Sequence, residues 1–270
     1  MRHNIIKNGF IGDIMRKVCS VVLSALLCLM LVSCSTDGQA IVFFPECDGE
    51  AVLVMSPESV VLVNSGGAGD GERIEECLSR FDIGKIDLMI LTSGEAKNMG
   101  GAEYLLKHID IGAVCEAPSV QTSGASSGYE KIINALDILP YVVTGDLSFE
   151  NDGIKYDIYT GSDGEESALT VCASSCGTRA ILSADITAEH YLSLYGAGYD
   201  LDCALARLPS DDPSLFSAYI RTSDDGYIIV DNPQTEAQLS ELVKPGRVIS
   251  AEQPLYFLLD GTGVRKIERK

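Results

Sequence analysis

Beyond residue 40 the chain is written in short apolar runs broken by turn residues. Ile41–Phe44, Ala51–Met55 and Val60–Val63 are β-rich and separated by Pro, Gly, Ser and Asp, which predicts three strands. Gly66-Gly67-Ala68-Gly69-Asp70-Gly71 reads as a flexible turn. Ile74, Cys77, Leu78 and Phe81 then recur at helical spacing, so a helix is predicted over 72–81. Leu88–Leu91 reads as a buried strand, 101–108 as a helix and Ala113–Cys115 as a strand. The Ser/Gly-rich stretch 119–128 reads as an exposed loop, and Tyr129–Leu136 as a helix.

From Tyr141 to Thr160 the pattern changes to hairpins, with turns at Thr144-Gly145 and Asn151-Asp152-Gly153. Strands follow at Ala168–Cys172, Arg179–Ser183, Ala204–Leu208, Tyr227–Val230, Arg247–Ile249 and Leu255–Leu259. Helices are expected near 188–195, 213–220 and 235–243. Each half starts with hairpins and continues with alternating strand and helix. That order predicts an α/β fold of two sheets packed face to face with helices outside, an αββα four-layer sandwich. No linker or short repeat interrupts it, so 40–270 is read as a single domain.

The first 33 residues follow a different rule. Met15-Arg16-Lys17 precedes an apolar run from Val18 to Val32, and Leu31-Val32-Ser33-Cys34 closes it. A basic start, a 15-residue apolar stretch and a small residue before Cys are the parts of a signal peptide. The run is shorter than the roughly 20 residues a bilayer-spanning helix needs. The pattern looks like a bacterial lipobox, which predicts cleavage before Cys34 and a diacylglycerol thioether on its sulfur. The reading is a signal peptide over 1–33, with Met15 an alternative start, then a lipidated Cys and tether over 34–39. The protein is accordingly expected at the extracytoplasmic face of a bacterial membrane, held by its lipid.

Composition narrows the partners. The 270 residues carry a net charge of −19. Removing 1–33 takes away Arg2, Lys7, Arg16, Lys17 and Asp13 and leaves −22. A chain this acidic lacks the clustered cations that neutralise phosphates, so nucleic acid is an unfavourable partner. Six Cys remain after Cys34: Cys47, Cys77, Cys115, Cys172, Cys176 and Cys203. Several lie in apolar runs, which favours buried thiols; Cys172-x3-Cys176 leaves a local disulfide open. No Gly-x-Ser-x-Gly elbow surrounds Ser35, Ser65 or Ser93. Ser93 and Lys97 stand at the spacing of a Ser–Lys pair, a spacing that arises often by chance. The glycine loop 66–71 lacks a P-loop Lys and carries Asp70, which argues against a phosphate cradle.

The informative stretch is Ile86-Asp87-Leu88-Met89-Ile90-Leu91-Thr92-Ser93-Gly94-Glu95-Ala96-Lys97-Asn98-Met99-Gly100-Gly101. It resembles the metallo-β-lactamase superfamily, and within it the soluble hydrolase-like domain of ComEC-type DNA-uptake proteins. There a buried strand ends in Thr-His-x-Asp-x-Asp-His, followed by an apolar residue and Gly-Gly. The strand, Thr92, Gly100 and Gly101 match without a gap. Ser93 stands for the first His, Glu95 for the first Asp, Lys97 for the second Asp and Asn98 for the second His. Val61–Gly66 resembles the family's Leu-Ile-Asp-Thr-Gly turn, with Asn64 for its Asp. Glu166–Leu169 resembles a strand entry, and Ile181–Ile186 resembles Leu-Leu-Thr-Gly-Asp-Ile, with Asp185 kept. In Ala206–Ser214 the family's His-His is replaced by Ser210 and Asp211, and Asp260–Val264 resembles its closing turn. The resemblance covers roughly 41–266.

What the resemblance implies is a metal site that has decayed. A dinuclear hydrolase site needs imidazoles and carboxylates converging on two ions about 3.5–4 Å apart. His108 and His190 fall outside the family's ligand positions. Uncharged Ser93 and Asn98 are feeble ligands, and the Lys97 ammonium only donates. The vestigial site is therefore Ser93, Glu95, Lys97, Asn98, Asp185, Ser210 and Asp211, with no catalytic residue and no cofactor. Lys97 is expected either to pair with Asp185 and Glu95 in place of the ion or to point into solvent. A binding or scaffolding role at the cell envelope follows, toward an envelope protein or other ligand. The alternatives are a hydrolase using Zn or Mn, or an all-oxygen Mg, Mn or Ca site of Glu95, Asp185, Asp211 and Asp212, or an accessory factor in DNA uptake.

Overall fold

The structure is a computed structural model and describes residues 39–44, 49–124, 127–160, 168–184, 196, 204–207, 226–230, 233–241, 246–250, 253–260 and 263–268. Packing divides the chain into Met1–Thr36 and Asp37–Lys270. The first unit lies outside the described residues, and with it Cys34 and its apolar leader. The helices expected at 188–195 and 213–220 also lie outside them, as do Cys47, Cys203, His190, Glu166 and Ser167.

The first sheet begins with β1 (Gln39–Phe43), β2 (Val52–Met55) and β3 (Val60–Val63), paired antiparallel. Helix α1 (Asp70–Arg80) follows, then β4 (Lys85–Ile86) and β5 (Leu88–Leu91). Two short helices, α2 (Ala96–Met99) and α3 (Ala102–His108), lead to β6 (Asp110–Ile111) and β7 (Val114–Glu116). Helices α4 (Pro118–Thr122) and α5 (Ser127–Ala135) then lead to β8 (Tyr141–Val142). Strands β3, β5, β7 and β8 run parallel. Val-Val-Leu-Val in β3 and Leu-Met-Ile-Leu in β5 are apolar throughout because a parallel sheet is covered on both faces.

The second sheet repeats the plan. Hairpins join β9 (Leu147–Asn151), β10 (Ile154–Thr160), β11 (Leu169–Ser175) and β12 (Thr178–Ala184). Parallel strands β13 (Leu205–Arg207) and β14 (Tyr227–Ile229) continue it, and β15 (Val248–Ile249) follows α6 (Pro233–Ser240). The chain then returns to the first sheet as β16 (Leu255–Asp260) and β17 (Gly263–Ile267). The orders are β17-β16-β1-β2-β3-β5-β7-β8 and β15-β14-β13-β12-β11-β10-β9, with β4 and β6 paired separately. Two turns carry the positive φ that a tight hairpin needs: Asp152-Gly153 at 46° and 74°, and Cys176-Gly177 at 50° and 80°.

One apolar core joins both sheets and the helices, from Phe43, Leu62 and Ile90 to Ile158, Val171 and Leu205. Tyr227 of β14 meets the Phe257 ring of β16 at 5.5 Å, so the last hairpin stands against the opposite sheet. Ile74 and Leu78 of α1, Leu105 of α3 and Ile133 of α5 enter the same core. The expected αββα sandwich is the architecture found.

Two expectations need correction. The hairpin turn expected at Thr144-Gly145 instead links the two sheets, because β8 pairs parallel with β7 in the first and β9 pairs with β10 in the second. The stretch 119–128 is exposed at Gln121, Thr122, Gly124 and Ser127 as expected, but its described residues are helical over 119–122 and again from Ser127. Pro118 occupies the first turn of α4, where a missing N–H costs nothing, and Val120 is fully buried. In the glycine loop 66–71, Gly66, Gly67 and Gly71 are buried and Asp70 bonds the Gly67 N–H, while Ala68 and Gly69 are exposed. The expectation of buried thiols holds for Cys77, Cys115 and Cys172, and the bridge left open between Cys172 and Cys176 does not form. Burial also raises the Cys115 thiol to about 11, which keeps it protonated and inert.

Candidate functional site

The tips of the parallel strands β3, β5 and β7 lie at one end of the sandwich, and three loops meet there. Asn64 leaves β3 with φ of 60°, a conformation Asn tolerates. Its N–H donates to the Ile90 carbonyl at 2.8 Å. Its Oδ1 accepts from the Thr92 N–H at 2.9 Å and from the Thr92 hydroxyl at 3.0 Å. The two neighbouring strand tips are thereby held in register by one buried carboxamide.

The glycine loop is capped from within. Asp70 is fully buried. Its Oδ2 accepts from the Gly67 N–H at 2.6 Å and the Gly49 N–H at 3.2 Å, and its Oδ1 meets Arg73 at 3.0 Å. These amides are the donors an anion would use, and the chain's own carboxylate holds them. The loop therefore does not cradle phosphate.

The third loop carries the informative motif. Ser93 and Asn98 are both buried, and the Asn98 Nδ2 donates to Ser93 Oγ at 2.7 Å. The Glu95 N–H also donates to Ser93 Oγ, at 3.3 Å. Glu95 precedes α2, and its carbonyl accepts from the Asn98 and Met99 N–H groups. Lys97 Nζ lies 3.3 Å from Glu95 Oε2, with side chains 42% and 60% exposed. An ion pair that wet contributes at most about 1 kcal/mol. A double-mutant cycle between Lys97→Ala and Glu95→Ala should therefore return a coupling of about 1 kcal/mol or less; a coupling several times larger would show a desolvated pair.

Backbone contacts lock this loop onto the other two. The Ser65 N–H donates to the Asn98 carbonyl at 2.7 Å and the Glu50 N–H to the Lys97 carbonyl at 2.9 Å. The Gly-Gly pair is needed for the close approach: a Cβ on Gly101 would stand 2.2 Å from the Ser65 carbonyl oxygen. Behind the loop, the Gly94 N–H donates to Ser119 Oγ at 3.2 Å, and Ser123 donates to the Gly94 carbonyl. Helix α4 thus backs the motif, in the segment that reads as loop from sequence.

Four of the seven expected site residues, Ser93, Glu95, Lys97 and Asn98, are thus together on one loop. Asp185, Ser210 and Asp211 lie outside the described residues, as does Asp212. Lys97 does meet Glu95, at the surface. The Ser93 hydroxyl takes its hydrogen bonds from Asn98 and Glu95 rather than Lys97, which leaves the Ser–Lys pair without support. Among the described residues, no group of three or more His, Cys, Asp or Glu converges as a metal set. His108 is an exposed helix-end histidine, stacked on Tyr104 at 4.0 Å.

One buried polar cluster carries no signal in the sequence. Glu116 ends β7 almost fully buried, accepting from Tyr129 of α5 and, at 3.1 Å, from Gln121 of α4. Burial pushes its carboxyl above the ordinary value of 4.5, against those two hydrogen bonds. A folded pKa above the unfolded one means the charged form is penalised by folding. The penalty is complete above the folded pKa and vanishes as pH falls through it toward 4.5. Asp87, lowered by Lys85, and Asp152, lowered by the Glu58 N–H, lose their contributions only below 3.8. Comparing chemical denaturation of wild type and Glu116→Gln should show wild type gaining on the variant from neutral pH down to about 4.5. A difference that is flat, or that grows the other way, would contradict this.

Comparison with solved structures gives the fold its name. The metallo-β-lactamase fold protein YhfI from Bacillus subtilis matches with a TM-score of 0.59 at 10% identity, over 82% of this chain and 99% of that one. A diphosphatase from the PhnP family matches at 0.53 and 15% identity, over 82% and 98%. Igni18, a metallo hydrolase from the archaeon Ignicoccus hospitalis, matches at 0.50 and 10% identity, over 86% and 100%. No protein-family model matches the sequence, and no curated protein matches it. At these identities the likeness concerns architecture alone, and on that ground this chain has the metallo-β-lactamase fold.

Proposed function

We propose that this protein is a membrane-anchored lipoprotein whose metallo-β-lactamase-like domain works without metal, as a binding or scaffolding module at the cell envelope. The observation that carries the reading is the buried Asn98–Ser93 hydrogen bond of 2.7 Å. It joins the two positions where the family resemblance expects histidines. A hydroxyl and a carboxamide hydrogen-bonded to one another offer a divalent cation neither charge nor an imidazole nitrogen. The Lys97 ammonium, held near by Glu95, adds positive charge where the family has a carboxylate. The order of the motifs supports descent from the ComEC-type branch; the acidic surface weighs against DNA as ligand.

The test is a gain of function. Calorimetric titration of the full chain with Zn or Mn is expected to give no saturable binding. The variant Ser93→His/Glu95→Asp/Lys97→Asp/Asn98→His is expected to gain it. Saturable binding by the unmodified chain would overturn the metal-free reading and favour a hydrolase with an altered site.

A further inference from the structure

We propose that a cleft on the outer face of the second sheet binds a small zwitterion of dipeptide size, its carboxylate between Lys155 and Arg179 and its ammonium toward Glu150. The cleft lies at the hairpin end of that sheet. The other end of β11 is the one that meets the motif loop, where the Leu169 N–H donates to the Thr92 carbonyl at 2.8 Å. The proposal rests neither on the lipid anchor nor on the loss of metal.

Strand pairing builds the site. Glu150 of β9 stands opposite Lys155 of β10, Lys155 opposite Ser174 of β11, and Ser174 opposite Arg179 of β12. The four form one row across the sheet, and their side chains share a face. It is the outer face, because the alternating positions Ile154, Tyr156, Ala173 and Ala180 lie in the core between the sheets. With the turn residues Gly153, Cys176 and Gly177 the row lines a cleft of about 470 Å³.

The next residue along β10 fixes the cations. The Asp157 side chain is 7% exposed; it accepts from the Ser148 hydroxyl at 2.8 Å and meets Lys155 at 2.8 Å and Arg179 at 3.2 Å. One buried carboxylate thus draws two cations together and leaves one positive charge unmatched at the floor. Lys155 is 53% exposed, so its ammonium can turn one of its three N–H groups to a ligand. Glu150 is exposed and, among the described residues, forms no ion pair. Asp152, in the turn beside it, accepts from the Glu58 N–H and is held toward the first sheet. The charges of the cleft therefore balance, negative at β9 and positive from β10 to β12. An anion would meet Glu150, and a cation would meet Lys155 and Arg179; a zwitterion finds an opposite charge at each end. Glu150 stands two strand spacings, about 10 Å, from the Ser174 position between the cations. An extended dipeptide of about 7 Å bridges that gap once the side chains reach inward.

Cys176 lines the cleft and is exposed, while Cys77, Cys115 and Cys172 are buried. Its alkylation by iodoacetamide, read on its own peptide by mass spectrometry of the full chain, therefore reports occupancy. Glycylglycine at about 10 mM is expected to slow that alkylation about tenfold, as a site of about 1 mM affinity requires. N-acetylglycine, which lacks the ammonium, and glycinamide, which lacks the carboxylate, are expected to slow it less than about twofold. Protection by glycylglycine is expected to be lost in Lys155→Met and to fall to the N-acetylglycine level in Glu150→Gln. Both positions are exposed, and an unchanged circular dichroism spectrum shows each variant folded. No protection by glycylglycine, equal protection by the three probes, or full protection retained in Lys155→Met would overturn the proposal.

Discussion

Replacing Asp70 with Ala is expected to destabilise the protein by about 3–5 kcal/mol, read as a shift in the denaturant midpoint at unchanged slope. The carboxylate is fully buried and serves the Gly49 and Gly67 N–H groups and Arg73 at once. Removing it strands two buried donors, each costing about 1–3 kcal/mol, and leaves a cation beside them. Against a total stability of about 5–15 kcal/mol, that is a large share. Asp70→Asn keeps a neutral oxygen for both amides and loses only the charge, so less than half the effect is expected. Equal losses for the two variants would mean that the charge, and not the amide contacts, stabilises the loop.

Gly49→Ala is expected to cost about 3 kcal/mol, the upper range for overpacking. A Cβ there would stand 1.7 Å from the Lys97 carbonyl oxygen and 2.7 Å from the Gly67 nitrogen. Both are backbone atoms, so no side chain can swing aside. The strain falls on the junction of the three loops, and the Asn98–Ser93 contact should loosen with it. Hydrogen exchange at the Glu50 and Ser65 amides, which donate to Lys97 and Asn98, should accelerate in this variant. Unchanged protection would place the junction outside the stability of the fold.

Much of the architecture is legible in the sequence because the pattern is consistent at each level. The apolar runs of β2, β3 and β5 admit one reading, and Ile74, Cys77 and Leu78 mark α1. The failures share a cause. Pro118 and Val120 sit in a polar, Ser/Gly-rich stretch, and only the packing of Val120 makes it a helix. β17 is charged and mostly exposed, so Gly263–Ile267 shows no strand pattern and is defined by its pairing with β16. β4, β6 and β8 are two residues each and exist only as partners of other strands.

The site divides the same way. The motif around Thr92 and Gly100-Gly101 announces its loop, because Gly-Gly answers a need for close backbone approach that no other residue meets. What Ser93 and Asn98 do for one another follows from the loop's turn and cannot be read from their spacing of five. Glu116 is more instructive. It follows an apolar strand and looks like a surface residue, yet Tyr129 and Gln121 enclose it, from helices that sequence places imperfectly.

The most direct test of the central claim is the metal content of the full chain, purified from cells without chelator and measured by elemental mass spectrometry. The account predicts well under one equivalent of Zn, Mn and Fe per chain. One or two equivalents retained through extensive dialysis would contradict it.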